Sequence, residues 1–126
     1  YWVIGVQDPN RPEDWVGTGR TRVILQLRDE AIATSGDYRR FVLIDGKEYS
    51  HIVDTKTGRG SKAFSSVTII CSRAIDADAL ATAVSVMGAE KGSALIEDLA
   101  DTEAILISPG PDFRIVETSG AGRFLK

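Results

Sequence analysis

Ser72-Arg73-Ala74-Ile75-Asp76-Ala77-Asp78-Ala79-Leu80-Ala81-Thr82-Ala83-Val84-Ser85-Val86-Met87-Gly88 reads as a helix built almost wholly of small and apolar residues. Alanine is the best helix former, and glycine is a common helix terminator. Strand-like runs lead up to this stretch and further strands follow it, an order that predicts an α+β fold. Asp78 and Thr82 are four positions apart, so they share one helix face, and Ser85 continues that face at the next turn. A polar line on a helix that otherwise looks buried has two readings. One is an acid near the helix start plus a hydroxyl bonded back to the preceding turn. The other is a hard-oxygen site for a cation such as Mg²⁺.

Immediately before the helix, Ser66 to Cys71 is a continuous apolar run, which predicts a central strand buried on both faces. Further upstream, Glu48 to Val53 and Tyr38 to Ile44 flank Asp45-Gly46, a strong hairpin signal. Ala31 to Thr34 is a short strand of small residues, interrupted by Ser35-Gly36-Asp37. Thr21 to Leu27 is a strand with Val23, Leu25 and Leu27 on one face, and Tyr1 to Val6 is another. Between those two, Asp8-Pro9-Asn10-Arg11-Pro12 opens a loop that runs to about Arg20. Downstream, Ala89 to Leu99 is a second helix with Leu95, Ile96 and Leu99 inward. Ala104 to Ser108 and Phe113 to Glu117 are paired strands, and a last strand includes Arg123 to Leu125. No linker divides the chain, so residues 1–126 are read as one unit.

The 126 residues are 43% hydrophobic and 26% charged, the composition of an ordinary globular protein. The net charge of −3 points away from nucleic acid and from an anionic membrane surface. Basic residues cluster at Arg39-Arg40 and at Lys56, Arg59 and Lys62, either for a small anionic ligand or as solvated surface. Cys71 is the single cysteine, which excludes an intrachain disulfide and a cysteine-based zinc site. Its apolar surroundings make it a small buried hydrophobe. The sequence starts at Tyr1, directly in a strand-like run, so an upstream segment is expected.

Three clusters could carry chemistry. His51, the sole histidine, stands at a strand end ahead of a glycine-containing loop, and imidazole suits proton transfer near neutral pH. Asp54, just after it, can instead shape its turn by bonding amides two or three residues on. In Thr34-Ser35-Gly36-Asp37-Tyr38, a glycine between small polar residues either admits a ligand to the backbone or marks a β-bulge. Tyr38 can stack on a flat ring or fill a core. The third cluster is the helix pair Asp78 and Thr82. Ser119-Gly120-Ala121-Gly122 has the look of a phosphate cradle but lacks the helix that should follow it.

The order and spacing of Ala33-Thr34-Ser35-Gly36-Asp37-Tyr38, Tyr49-Ser50-His51-Ile52-Val53-Asp54 with Thr57-Gly58, Ser66-Val67-Thr68-Ile69, Ala77-Asp78-Ala79-Leu80-Ala81-Thr82-Ala83 and Met87-Gly88-Ala89-Glu90-Lys91-Gly92 resemble the ApbE family of flavin transferases. Trp2-Val3-Ile4-Gly5-Val6-Gln7-Asp8-Pro9 is similar to the family strand that precedes them. The resemblance covers nearly the whole chain, but only the C-terminal half of the family domain. It implies a T-fold-like half-domain, with an antiparallel or mixed sheet and two helices after the central strand. The implied reaction moves FMN from FAD to a serine or threonine of an acceptor protein, with Mg²⁺, releasing AMP. Hydrolysis of FAD to FMN and AMP, or flavin binding without catalysis, are the alternatives.

On that resemblance, Asp78 and Thr82 match metal ligands, His51 matches the proposed base, and Ile52 matches a backbone contact to FAD. Ser35 and Gly36 are expected to line the site. The acceptors implied are subunits of membrane redox pumps, such as sodium-translocating quinone reductases and Rnf complexes. The implied location is the periplasm or the outer face of a bacterial inner membrane, through an upstream lipid anchor. The chain departs from the family at Thr55 and Gly60, where proline is usual, and at Ala81, where some members carry a second acid. A more flexible loop is expected at Gly60. The N-terminal half, with its flavin-stacking aromatic and further FAD and metal contacts, is not in these residues, so residues 1–126 alone are expected to be inactive.

Overall fold

A computed structural model describes residues 1–10, 21–37 and 41–126. The frame is a four-stranded antiparallel sheet in the order β10 (Ile115–Glu117), β9 (Glu103–Ile107), β8 (Ser66–Cys71), β3 (Ala31–Gly36). Every residue of β8 is buried, as its unbroken apolar run predicts. Alternation sorts that run between two cores. Val67, Ile69 and Cys71 join Ala104 and Leu106 beneath the helices. Ile70 joins Ile105 and Ile107 on the opposite face.

The helical face is covered by α1 (Ala74–Met87) and α2 (Ala89–Glu97). Only Ala77, Ala81, Val84 and Ser85 of α1 are buried, so the helix is less enclosed than its composition suggests, and Ile75 and Met87 are exposed. Its alanines bring the backbone close to the sheet across β3 and β8. Gly88 has φ of 82° and donates its N–H to the Val84 carbonyl, which ends α1 in a conformation that favours glycine. The opposite face of the sheet is covered by the hairpin of β1 (Trp2–Gln7) and β2 (Thr21–Leu27), which buries Val6, Val23, Leu25 and Leu27.

A second hairpin, β4 (Phe41–Ile44) with β5 (Lys47–Ser50), turns at Asp45-Gly46, where both residues have positive φ, as the sequence predicts. All four residues of β4 are exposed. Chain beyond β5 differs from the expected single return strand and loop. After a bend at His51-Ile52, β6 (Val53–Asp54) pairs with β7 (Arg59–Gly60).

Three further expectations are corrected. The C-terminal strand is instead a 3₁₀ turn, Ala121–Phe124, with only Leu125 bridging to Leu25. Buried Ala121 and Phe124 account for this, because a tight turn places both on the core side. Leu99 is 38% exposed rather than inward, because α2 ends at Glu97. Ser85 does not extend the polar line of α1; it is buried and donates its hydroxyl to the Ala81 carbonyl at 2.8 Å. Arg39-Arg40, Tyr38 and the loop over residues 11–20 lie outside the described residues.

Candidate functional site

Strand β3 delivers the first polar group. Ala33 packs against the helical core, and alternation puts Ser35 on the same face. Ser35 Oγ lies 3.1 Å from Thr82 Oγ1 of α1, although the two are 47 positions apart. Thr82 Oγ1 is also 3.4 Å from the carbonyl oxygen of Asp78, the back-bond that its helical position allows. Asp78 is exposed, one turn before Thr82. The other face of β3 is structural: Thr34 and Thr68 hydroxyls bond at 2.9 Å. Gly36 pairs in regular register with Ser66, so no bulge opens there.

This cluster offers a carboxylate and two hydroxyls, all hard oxygens of the kind Mg²⁺ selects. Among the described residues no three His, Cys, Asp or Glu side chains gather as a metal site. The fit is therefore that of a partial shell, with Asp78 and Thr82 as the holding residues. Substrate phosphate and water are the usual complement of such a shell.

The second grouping surrounds a cleft of about 710 Å³, lined in part by Asp37, Lys47, Glu48, Ser50, Ser61 and Lys62. Burial pushes the Asp37 carboxyl above its ordinary value. The Glu48 charge adds to that rise, whereas the Asp37 backbone amide and the His51 charge oppose it. His51 is exposed in the bend after β5 and acts electrostatically on Asp37. Ile52 is buried, and both of its backbone groups are engaged. Its N–H donates to Ser50 Oγ at 3.1 Å, and its carbonyl accepts the Ser61 N–H at 2.7 Å. A nucleotide contact from Ile52 would fall to the second lone pair of that carbonyl.

The loop that carries His51 is pinned rather than loose at Gly60. Asp54 Oδ1 accepts the Lys56 N–H at 2.8 Å and the Asp54 carbonyl accepts the Gly58 N–H at 2.8 Å, which is the turn-shaping role expected of it. A Cβ on Gly60 would lie 2.9 Å from the Ser50 backbone nitrogen, so strand β7 needs glycine to approach β5. Ser61 was not singled out by sequence, yet its hydroxyl donates to the Ser85 carbonyl of α1 at 2.5 Å. Ser61 thus fastens the His51 loop to the helix of Asp78 and Thr82. A serine after a glycine carries no periodicity that would betray this role.

The Ser119-Gly120 segment is not a phosphate cradle. Ser119 donates its N–H and hydroxyl to Glu97, at 2.7 Å and 2.6 Å. Gly120 donates its N–H to Glu103 at 3.1 Å. Carboxylates of the protein itself occupy these amides.

The chain thus carries two polar groupings, an oxygen cluster on the sheet–helix layer and a cleft of mixed charge. The chain belongs to the ApbE family, whose model matches residues 1–106. It is 39% identical to the FAD:protein FMN transferase of Treponema pallidum over 94% of this chain and 31% of that protein. It is 35% identical to the FAD:protein FMN transferase of Vibrio cholerae over 98% of this chain and 36% of that protein. Among solved structures, the ApbE protein of Thermotoga maritima superposes with a TM-score of 0.80 at 33% identity, over 99% of this chain and 38% of that one. The Vibrio cholerae flavin transferase superposes with a TM-score of 0.74 at 36% identity, over 98% of this chain and 38% of that one. The chain thus spans about a third of the length of the relatives it matches.

Proposed function

We propose that residues 1–126 form part of a flavin transferase that moves FMN from FAD onto a serine or threonine hydroxyl of an acceptor protein. The observation that carries this reading is the meeting of Ser35 with Thr82, one turn from Asp78, in a chain whose relatives bear that activity as their name. The acceptor oxygen bonds to the flavin-side phosphorus of FAD, the bridging P–O bond breaks, and AMP leaves with the bridging oxygen. His51 takes the proton of the acceptor hydroxyl. Asp78 and Thr82 would hold Mg²⁺, which when bound would neutralise pyrophosphate charge. Ser35 lines the same face, the backbone of Gly36 follows it along β3, and the Ile52 carbonyl reaches the nucleotide. Lys47 and Lys62 offer cationic contacts in a cleft that Asp37 and Glu48 also line.

The reading extends to a membrane redox-pump subunit as acceptor, and to the outer face of a bacterial inner membrane. No helix among the described residues is long and apolar enough to cross a membrane. Residues 1–126 alone are expected to be inactive, because they span only about a third of the length of the flavin transferases they match.

The test incubates the full-length protein with FAD, Mg²⁺ and a serine- or threonine-bearing acceptor. Covalent flavin is read by in-gel fluorescence and AMP by chromatography. Acceptor-dependent AMP release that matches flavin incorporation is expected. Equal AMP release without acceptor would replace transfer by hydrolysis, and flavin binding with no AMP at all would leave a non-catalytic domain.

A further inference from the structure

We propose that Ser35 is a positioning residue for Thr82, setting the hydroxyl orientation with which Thr82 meets a divalent cation. The inference rests on the reading of Asp78 and Thr82 as cation ligands. A hydroxyl has one hydrogen and two lone pairs. When it ligates a cation, a lone pair faces the metal and the hydrogen must find an acceptor elsewhere. Thr82 has two acceptors within reach. Ser35 Oγ stands at 3.1 Å, across from the helix on β3, and the Asp78 carbonyl stands at 3.4 Å, along the helix. The hydroxyl pair can run in either direction, and with a lone pair of Thr82 turned to a cation the nearer acceptor, Ser35, takes the hydrogen.

Two consequences follow from that arrangement. Thr82 is left with lone pairs free on the exposed side it shares with Asp78. Ser35 keeps its own hydrogen to donate to a neighbouring oxygen. The support beneath Ser35 is rigid, because β3 is paired through its whole length with the fully buried β8, up to Gly36 opposite Ser66. Groups that orient a metal ligand by hydrogen bonding commonly alter metal affinity about 10- to 100-fold when removed.

The experiment titrates Mg²⁺ alone into the FAD-loaded full-length protein by calorimetry. Ser35→Ala is expected to raise the Mg²⁺ Kd about 10-fold, the lower end of that range, with an unchanged thermal midpoint. Ser35→Thr restores affinity, and Ser35→Val, which has the same shape without the hydroxyl, does not. In a Thr82→Ala background, Ser35→Ala adds nothing, because it acts through Thr82. An unchanged Kd in Ser35→Ala and Ser35→Val, with Asp78→Ala still weakening binding, overturns the positioning role and leaves the ligand reading standing. Additive losses in the Ser35→Ala/Thr82→Ala pair overturn it as well. An unchanged Kd in Asp78→Ala removes the ligand reading, and the role of Ser35 with it.

Discussion

Gly120→Ala should destabilise the protein, although a glycine in that backbone conformation usually gains from the change. Gly120 has φ of −96° and ψ of −4°, which alanine adopts freely. Replacement at such a site ordinarily stabilises by about 0.4–1 kcal/mol through the unfolded chain. Here a Cβ would overlap Glu103 Oε1 and stand 2.8 Å from Glu103 Cδ. Glu103 is only 9% exposed, accepts the Thr118 hydroxyl and the Gly120 N–H, and faces Arg123 Nη2 at 3.8 Å. Displacing it breaks two hydrogen bonds to a charged group, each contributing about 1.5–3 kcal/mol. Partial rehydration at the protein edge reduces that sum, so a net loss of about 3 kcal/mol is expected. With an unfolding entropy of about 2.1 cal/mol/K per residue, the melting midpoint of a chain this size falls by about 11 °C. Circular dichroism melts would measure it, with Gly122→Ala as control, since a Cβ there meets nothing within 4 Å. In a Glu103→Ala background the penalty should vanish. A midpoint equal to or above the parent in Gly120→Ala refutes the reasoning, because the carboxylate then moves aside without loss.

Gly92→Ala places a Cβ 2.7 Å from Val84 Cγ1 in the buried contact of α1 with α2. Overpacking of about 1–3 kcal/mol is expected from a denaturant midpoint, and no loss would show that the helices separate freely. His51→Gln in the full-length protein should lower the turnover of flavin transfer by about 10²- to 10⁴-fold with FAD affinity kept, measured by single-turnover fluorescence. Full turnover would remove the base assignment. Asp37 is raised in the folded state by burial, so its protonated form is favoured there. The stability tied to it is fully present below the unfolded pKa and is lost as pH rises through the folded one. Asp37→Asn should therefore gain on the parent protein between pH 3 and pH 7 in thermal midpoint, and a constant difference across that range would contradict the burial argument.

What the sequence made legible follows from how locally each feature is encoded. Strand β8 was readable because six adjacent residues share one environment, and the hairpin because Asp45 and Gly46 must both take positive φ. The Asp54 turn was readable because its partner, Lys56, is two residues away. Other features depend on distant chain. The Ser119–Gly122 segment resembles a phosphate cradle until Glu97 and Glu103 fold against it from other elements. The C-terminal turn is strand-like in composition, yet the core it packs on selects a 3₁₀ turn. Ser35, Thr82 and His51 became candidates through the order of motifs, since spacing alone leaves a hydroxyl 47 positions from its partner unconnected.

The two halves of the candidate site are supported differently. Ser35, Asp78 and Thr82 stand on the sheet–helix layer, where β8 is fully buried and α1 spans β3 and β8. His51 follows a two-stranded hairpin whose outer strand exposes Phe41, Val42, Leu43 and Ile44 together, with Leu43 at 63%. Such a ribbon has little stability of its own. The ties at the bend include the Ser61 N–H donated to the Ile52 carbonyl, the Ile52 N–H donated to the Ser50 hydroxyl, and the close seat of Gly60 against Ser50. Ser61 ties that set to α1, through its hydroxyl on the Ser85 carbonyl. On the proposed roles, the Ser61–Ser85 bond is therefore one of the links that set His51 relative to Asp78 and Thr82. In-line phosphoryl transfer is sensitive to misplacement of this kind on the scale of an ångström. The buried, back-bonded Ser85 that interrupts the polar line of α1 is thus one anchor point between the two halves.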